Sequence, residues 1–427
     1  VTVEDRLRAT TEALSGVMRE VRPLTLPSEP PSRVPRPREP RHWRGWLVPL
    51  TAAVAVIVVA VALVAVRDSR GVSPAPPATN PVATTIPRYY VTLGADSSAP
   101  GYQRDAIVGD SRTGKVLATA RPPAHLTFVG VTGAADDRTF VLDAISVADA
   151  SAAGRASPGA HSWYVLRLTL GSSRPATLTR LPIAGPADSA QVDGLALAPD
   201  GGTLAVLYQS GVFGGSPGPF TLATFSLMTG KTLRTWTAPG GKIYVYGGGE
   251  RDNDVDLTWT ADGRTLAFVF NPFVEPDDER TLNVTDKGDS LLADSRAVLE
   301  IPSPQYNCMS VLLASDGRTI VCGALGNRAD ECRKQWPAFL LYSTATGKLI
   351  RVLYHSAVSV CAETTTADLL WSGSGGTAIG AIQTEHNVKN RVVNELTFGL
   401  LTPGKFTPLH VTLPDKSYFY APGELAF

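Results

Sequence analysis

The stretch 257–270, LTWTADGRTLAFVF, constrains the fold more than any other, because the chain uses it repeatedly in altered form. Two apolar runs flank an Asp-Gly pair, which is the signature of a β-hairpin. LALAPDGGTLAVLY begins at Leu195, VLLASDGRTIVCGA at Val311 and LLWSGSGGTAIGAI at Leu369, with a looser copy, VTGAADDRTFVLDA, at Val131. A chain built this way is a tandem array of one supersecondary unit.

A second repeat confirms the first. RDAIVGDSRTGKVLATARP, TLATFSLMTGKTLRTWTAP, FLLYSTATGKLIRVLYH and LTFGLLTPGKFTPLHVTLP each put a turn glycine between two strands. Gly114, Gly230, Gly347 and Gly404 are separated by one or two units of about 58 residues, with empty slots at Ser172 or Ser173 and near Gly288. Roughly six units result, each with two hairpins and therefore four strands. Four-stranded sheets repeated radially are the blades of a β-propeller, which leaves only short, protected edges. Inner strands sandwiched between blades should be apolar on both sides, as the runs 204–207 and 266–270 are. The array opens on an outer hairpin with no preceding Asp-Gly pair, and its tail, 420–427, resembles an inner hairpin. The C-terminal strand is therefore expected to complete the blade begun at the N-terminal end. The fold class expected is all-β, a six-bladed β-propeller with seven blades as the alternative.

What precedes the array differs in kind. Residues 2–22 read as a short amphipathic helix with Val3, Leu7, Leu14, Val17 and Val21 on one face, ended by Pro23. A Pro- and Arg-rich linker follows, completing a segment 1–45 expected in the cytoplasm. Residues 46–66 are uncharged and almost wholly Leu, Val, Ala and Ile over about twenty residues, the length that spans a bilayer as a helix. Arginines cluster on its N-terminal side, so the positive-inside rule puts everything after Arg67 outside the cell membrane. A cleavable signal peptide is the competing reading, disfavoured by the long region ahead of the apolar core. Residues 67–87 form a Pro-rich extracytoplasmic tether, and 88–427 the propeller domain. No basic domain or acidic tail marks a nucleic-acid binder, and the charge balances at net zero.

The repeated DGRTLA and TGK motifs resemble those of the WD40-like and TolB-type propellers of bacterial envelope proteins. With the Arg-rich segment, the single Ala/Val-rich span and GDSLLADSRAVL, the whole chain resembles a family of membrane-anchored propellers from actinobacteria. That resemblance implies the fold and is nearly silent on function, since propellers host enzymes, ligand binders and assembly platforms alike.

Four cysteines, Cys308, Cys322, Cys332 and Cys361, fall in one stretch of the exported domain, where disulfides form. Three pairings exist. The expected ones are Cys322 with Cys332, across the loop leaving an inner hairpin, and Cys308 with Cys361, ahead of neighbouring inner strands. A zinc site is the alternative, without a CxxC or a spaced His in its favour.

Candidate chemistry is sparse. GDSRTGKV at 109–116 nearly spells a P-loop, but Val116 stands where the hydroxyl is needed and the same Thr-Gly-Lys recurs in other units. GGSPG at 214–218 fits GxSxG, yet Pro217, Gly218 and Pro219 forbid the helix a nucleophile elbow requires. Asp252, Asp254 and Asp256 alternate as Ca²⁺ ligands can, without the later Gly and Glu of an EF-hand; Ca²⁺ is the one cofactor the chain suggests. Asp193, Asp256 and Asp368 share nearly one position at the start of inner strands, with Ser310 in the matching slot. They could ring the channel mouth and focus a cation or polar ligand, or each could cap a turn. No catalytic residues are assigned. The reading that results is a ligand- or protein-binding or sensing module, partnered by an envelope component and the membrane. The alternatives are a Ca²⁺-dependent lactonase-like or hydrolase-like enzyme built on those carboxylates, and a regulator acting through the cytosolic segment.

Overall fold

A computed structural model of the protein describes residues 86–95, 103–148, 160–169, 171–172, 175–186, 190–210, 218–238, 257–270, 277–301, 306–327, 335–356, 364–388, 391–413 and 424–427. All belong to the second of two compact units, 80–427. The segments expected to form an N-terminal helix, a membrane span at 46–66 and a tether lie outside the described residues. Among those described, no helix is long and apolar enough to cross a membrane.

The described strands form six four-stranded antiparallel sheets. Five are built from consecutive strands: blade 2 spans 126–180, blade 3 191–238, blade 4 258–301, blade 5 306–355 and blade 6 364–408. Blade 1 is composite. Its three outer strands, Tyr89–Ala95, Arg104–Asp110 and Val116–Ala120, come from the start of the array, and its innermost strand, Leu425–Ala426, from the end. Val91 pairs with Ala426 and Thr92 with Leu425, as the tail's likeness to an inner hairpin anticipates.

Strand alternation makes the ring. Along Thr203–Gln209, Leu204 and Val206 pack toward blade 2, whereas Ala205 and Leu207 pack toward blade 4. One strand with side chains on opposite faces thus feeds two seams. Six apolar clusters result, one in each seam between successive blades. The sixth joins Ile379, Ala381 and Phe398 of blade 6 to Tyr90, Leu425 and Phe427 of blade 1, which closes a six-bladed β-propeller. Burying each such large side chain is worth about 1.5–3 kcal/mol, so the seams carry most of the fold's stability.

Polar stitches fix the seams in register. Thr132, Thr258 and Ser310, each on an innermost strand, accept a hydrogen bond from the backbone N–H of Leu197, Leu313 and Leu369 in the next blade, at 3.1, 3.3 and 3.1 Å. The GDSLLADS segment of blade 4 also turns out to be structural. Arg234, on the outer strand of blade 3, donates to the backbone carbonyls of Val284, Asp286 and Gly288, and Thr237 N donates to Asp289 O at 2.8 Å. The blade 4 turn thereby covers an edge strand of its neighbour.

The inner turns explain the repeated Asp-Gly. Gly201, Gly263, Gly317 and Gly375 all have φ between 65° and 68°, the left-handed region that glycine tolerates. Asp200, Asp262 and Asp316 accept the N–H two residues on, at 2.8, 3.0 and 2.8 Å. Blade 2 departs from the pattern: Asp137 holds the glycine slot at φ 59°. Its carboxylate accepts the N–H groups of Arg88 and Tyr89 at 2.7 and 2.9 Å, clamping the first described strand to blade 2. Burial pushes the Asp137 carboxyl up to about 6.

The cysteines pair differently from expectation. Cys308 is bonded to Cys322 within the inner hairpin of blade 5, with a Cα–Cα separation of 5.6 Å. This overturns the expected Cys322–Cys332 and Cys308–Cys361 bonds; Cys332 and Cys361 lie outside the described residues. The cause is a register shift between Cys308 and Ser310. One extra residue turns Cys308 onto the face of Val311 and Cys322, which the regular alternation would have denied it. Closing a loop of this length stabilises by about 3 kcal/mol, so the double variant Cys308→Ala/Cys322→Ala should unfold at correspondingly lower urea concentration. An unchanged midpoint would show that the bond constrains nothing.

Candidate functional site

The two faces of the ring differ. Antiparallel hairpins put the Asp-Gly and Thr-Gly-Lys turns on one face, and the connections 96–103, 147–161, 210–219 and 239–257 leave from strand ends on the other. Buried polar residues divide in the same way. On the turn face, Asp110 and Thr139 are tied up in turn hydrogen bonds: Asp110 accepts the N–H of Arg112, and Thr139 bonds Asp136. Toward the opposite face some buried polar side chains pair with one another, Asp143 with His161 and Gln191 with Asp193, while Gln209 Nε2 donates to the backbone carbonyl of Gly218 and Thr127 Oγ1 accepts from Arg104 N.

The clearest pair was not foreseen. Asp143, second strand of blade 2, and His161, at the start of the third, meet at 2.8 Å between Oδ2 and Nδ1, and both side chains are nearly inaccessible. Burial alone would lower the His161 pKa. The adjacent Asp143 charge, their hydrogen bond and a backbone hydrogen bond to Ala190 outweigh it and hold the imidazole above its usual value. Residue Ala190 adjoins the first strand of blade 3, Gln191–Leu197, so the pair ties two blades together at the strand-end face. Asp143 Oδ1 and Trp163 Nε1, on strands that pair at these residues, have no hydrogen-bond partner among the described residues. The sequence signal was an Asp inside the apolar run VLDAI and a His opening the next strand, separated by a long connection that hid their proximity.

Of the carboxylates expected at the channel mouth, Asp193 is buried, 5% exposed, and its Oδ1 accepts from Gln191 Nε2 at 3.0 Å. It stands at a register shift in the innermost strand of blade 3. Asp368 is half-buried on the innermost strand of blade 6 and accepts from Thr366 Oγ1 at 2.7 Å. Each therefore bonds a side chain two residues earlier on its own strand. Blades 3 and 6 lie across the six-bladed ring from each other. The expected Ca²⁺ ligands Asp252, Asp254 and Asp256 lie outside the described residues, as does most of the GxSxG stretch. Among the described residues no three His, Cys, Asp or Glu side chains are grouped to hold a metal ion. Gly114, the P-loop lookalike's glycine, takes φ 69° in an ordinary blade turn.

No protein-family model matches the chain, and no curated protein matches it. Solved structures do. TolB from Acinetobacter baumannii is 11% identical with a TM-score of 0.41, covering 76% of this chain and 67% of that one. The β-propeller domain of the Trilobed protease from Pyrococcus furiosus is 10% identical with a TM-score of 0.38, covering 75% of this chain and 78% of that one. The likeness is one of fold. At such identity it carries neither an activity nor a partner to this chain.

Proposed function

We propose that this protein is a membrane-anchored, extracytoplasmic β-propeller that binds a protein or another envelope component as a binding or sensing module. The observation that carries this reading is the unequal division of the ring, with tight capped turns on one face and, toward the other, the buried side-chain pairs Asp143–His161 and Gln191–Asp193. The Cys308–Cys322 bond supports an oxidising compartment outside the cytoplasm. Anchoring rests on the apolar span 46–66 and the arginines ahead of it. The described chain joins the ring beside the turns, where Tyr89 pairs with Asp110.

A photo-crosslinking residue in the full-length protein tests the reading in native membranes. Placed at the exposed positions Ala160 or Glu395 on the strand-end face, it should capture a specific partner, and at the exposed Thr229 on the turn face it should not. Capture from Thr229 alone, or digestion of the propeller only after the cytoplasm is opened to protease, would contradict it.

A further inference from the structure

On the turn face blade 3 exposes Met228, 89%, and Leu233, 53%, beside the exposed Lys231, and a wider stretch of the ring combines the same two kinds of side chain. In the consecutive blades 5, 6 and 1, Arg112, Lys115, Lys348, Arg351 and Lys405 are all exposed. Two described carboxylates here are engaged by their own turns or by a cation: Asp110 is buried and ion-paired with Arg88 at 2.7 Å, and the exposed Asp316 accepts the N–H of Arg318. Between these cations stand exposed aliphatic side chains. Ile350 is 51% exposed, Leu349 and Val116 43% each, and Ile86, where the chain joins the ring, 38%. Hydrogen bonds show that the sector is one surface. Gly404 N of blade 6 donates to Leu353 O of blade 5, and His410 N and Thr412 Oγ1, past blade 6, donate to Ser111 O and Gly114 O of blade 1. Large aliphatic groups this exposed, interleaved with lysine and arginine, are unusual on a surface that meets only water.

We propose that this sector of the turn face docks on the anionic headgroup surface of the bilayer. The proposal rests on the anchored reading above and adds to it an orientation and a lipid class. Two features argue for this occupant. The charge is complementary to phosphodiester headgroups, and the aliphatic groups reach the interface as those of peripheral proteins do. The described chain also begins here, at Ile86, and in the sequence only residues 67–85 separate it from the apolar span 46–66. Docked so, the ring lies with its turns against the lipid and offers the strand-end face outward.

The test uses the full chain reconstituted into vesicles, with a photo-crosslinking residue at Ile350 and, separately, at Glu395 on the opposite face. In vesicles of equal parts phosphatidylglycerol and phosphatidylcholine, Ile350 should crosslink to lipid and Glu395 should not. Pure phosphatidylcholine, about 0.5 M salt, or the triple variant Lys115→Gln/Lys348→Gln/Lys405→Gln should each cut the Ile350 yield by about tenfold or more, because each exposed cation contributes near a charged surface and salt screens it. Equal yields from the two positions, or a yield indifferent to lipid charge, overturn the docking while flotation with the vesicles still upholds the anchor. A chain that fails to float with either vesicle overturns both.

Discussion

Deleting residues 424–427 should unfold the ring or leave it open and prone to associate. The deletion removes Leu425, Ala426 and Phe427, all buried, together with the ion pair between Arg104 and Glu424. It strips the inner edge of the strand Tyr89–Ala95, exposes Tyr90, whose ring lies 5.9 Å from that of Phe427, and empties the seam between blades 6 and 1. Truncating a buried Leu or Phe costs about 2–5 kcal/mol each, so the loss is at least about 5 kcal/mol. That rivals the whole stability of a typical domain, about 5–15 kcal/mol. Urea unfolding followed by tryptophan fluorescence measures it. Should the truncated chain prove insoluble, Phe427→Ala alone should still lower the stability by about 3–5 kcal/mol. Wild-type unfolding behaviour in either variant would mean that the C-terminal strand closes nothing.

Asp143→Ala should cost about 3–5 kcal/mol, because it strands the His161 imidazole in a site with almost no water. Its pH signature separates this from simple loss of packing. His161 holds its proton to higher pH in the folded protein than in the unfolded chain, whose value is 6.5. The native state therefore binds more protons above that value. Stabilisation from the pair is complete below it and fades as pH climbs through the folded pKa. Unfolding midpoints of the wild type should thus fall as pH rises above about 6.5, with a slope that Asp143→Asn flattens. An equal slope in Asp143→Asn would place the titrating group elsewhere.

The architecture was legible because it depends on local chemistry repeated along the chain. A turn needs φ near 65°, glycine supplies it at Gly201, Gly263 and Gly317, and the spacing of those turns counts the blades. Even the slot that looked empty near Ser172 holds a turn glycine, Gly171, at φ 79°. Departures from the pattern were harder to see. Asp137 keeps the left-handed turn without glycine and spends its carboxylate on the neighbouring blade, a role no spacing reveals. Register shifts are likewise silent in sequence, and one of them decided the Cys308–Cys322 pairing. The candidate site was legible only in part. Asp193 and Asp368 were found on the strands expected of them, but their partners Gln191 and Thr366, two residues away, went unremarked. Asp143 and His161 depend on two strands meeting across a long connection, which periodicity does not encode.

An experimental density map viewed down the axis of the ring tests the central claim most directly. It should show six four-stranded sheets, with Leu425 and Ala426 paired to Thr92 and Val91 inside the same molecule. A seventh sheet, or a C-terminal strand inserted elsewhere or into a neighbouring molecule, would contradict it.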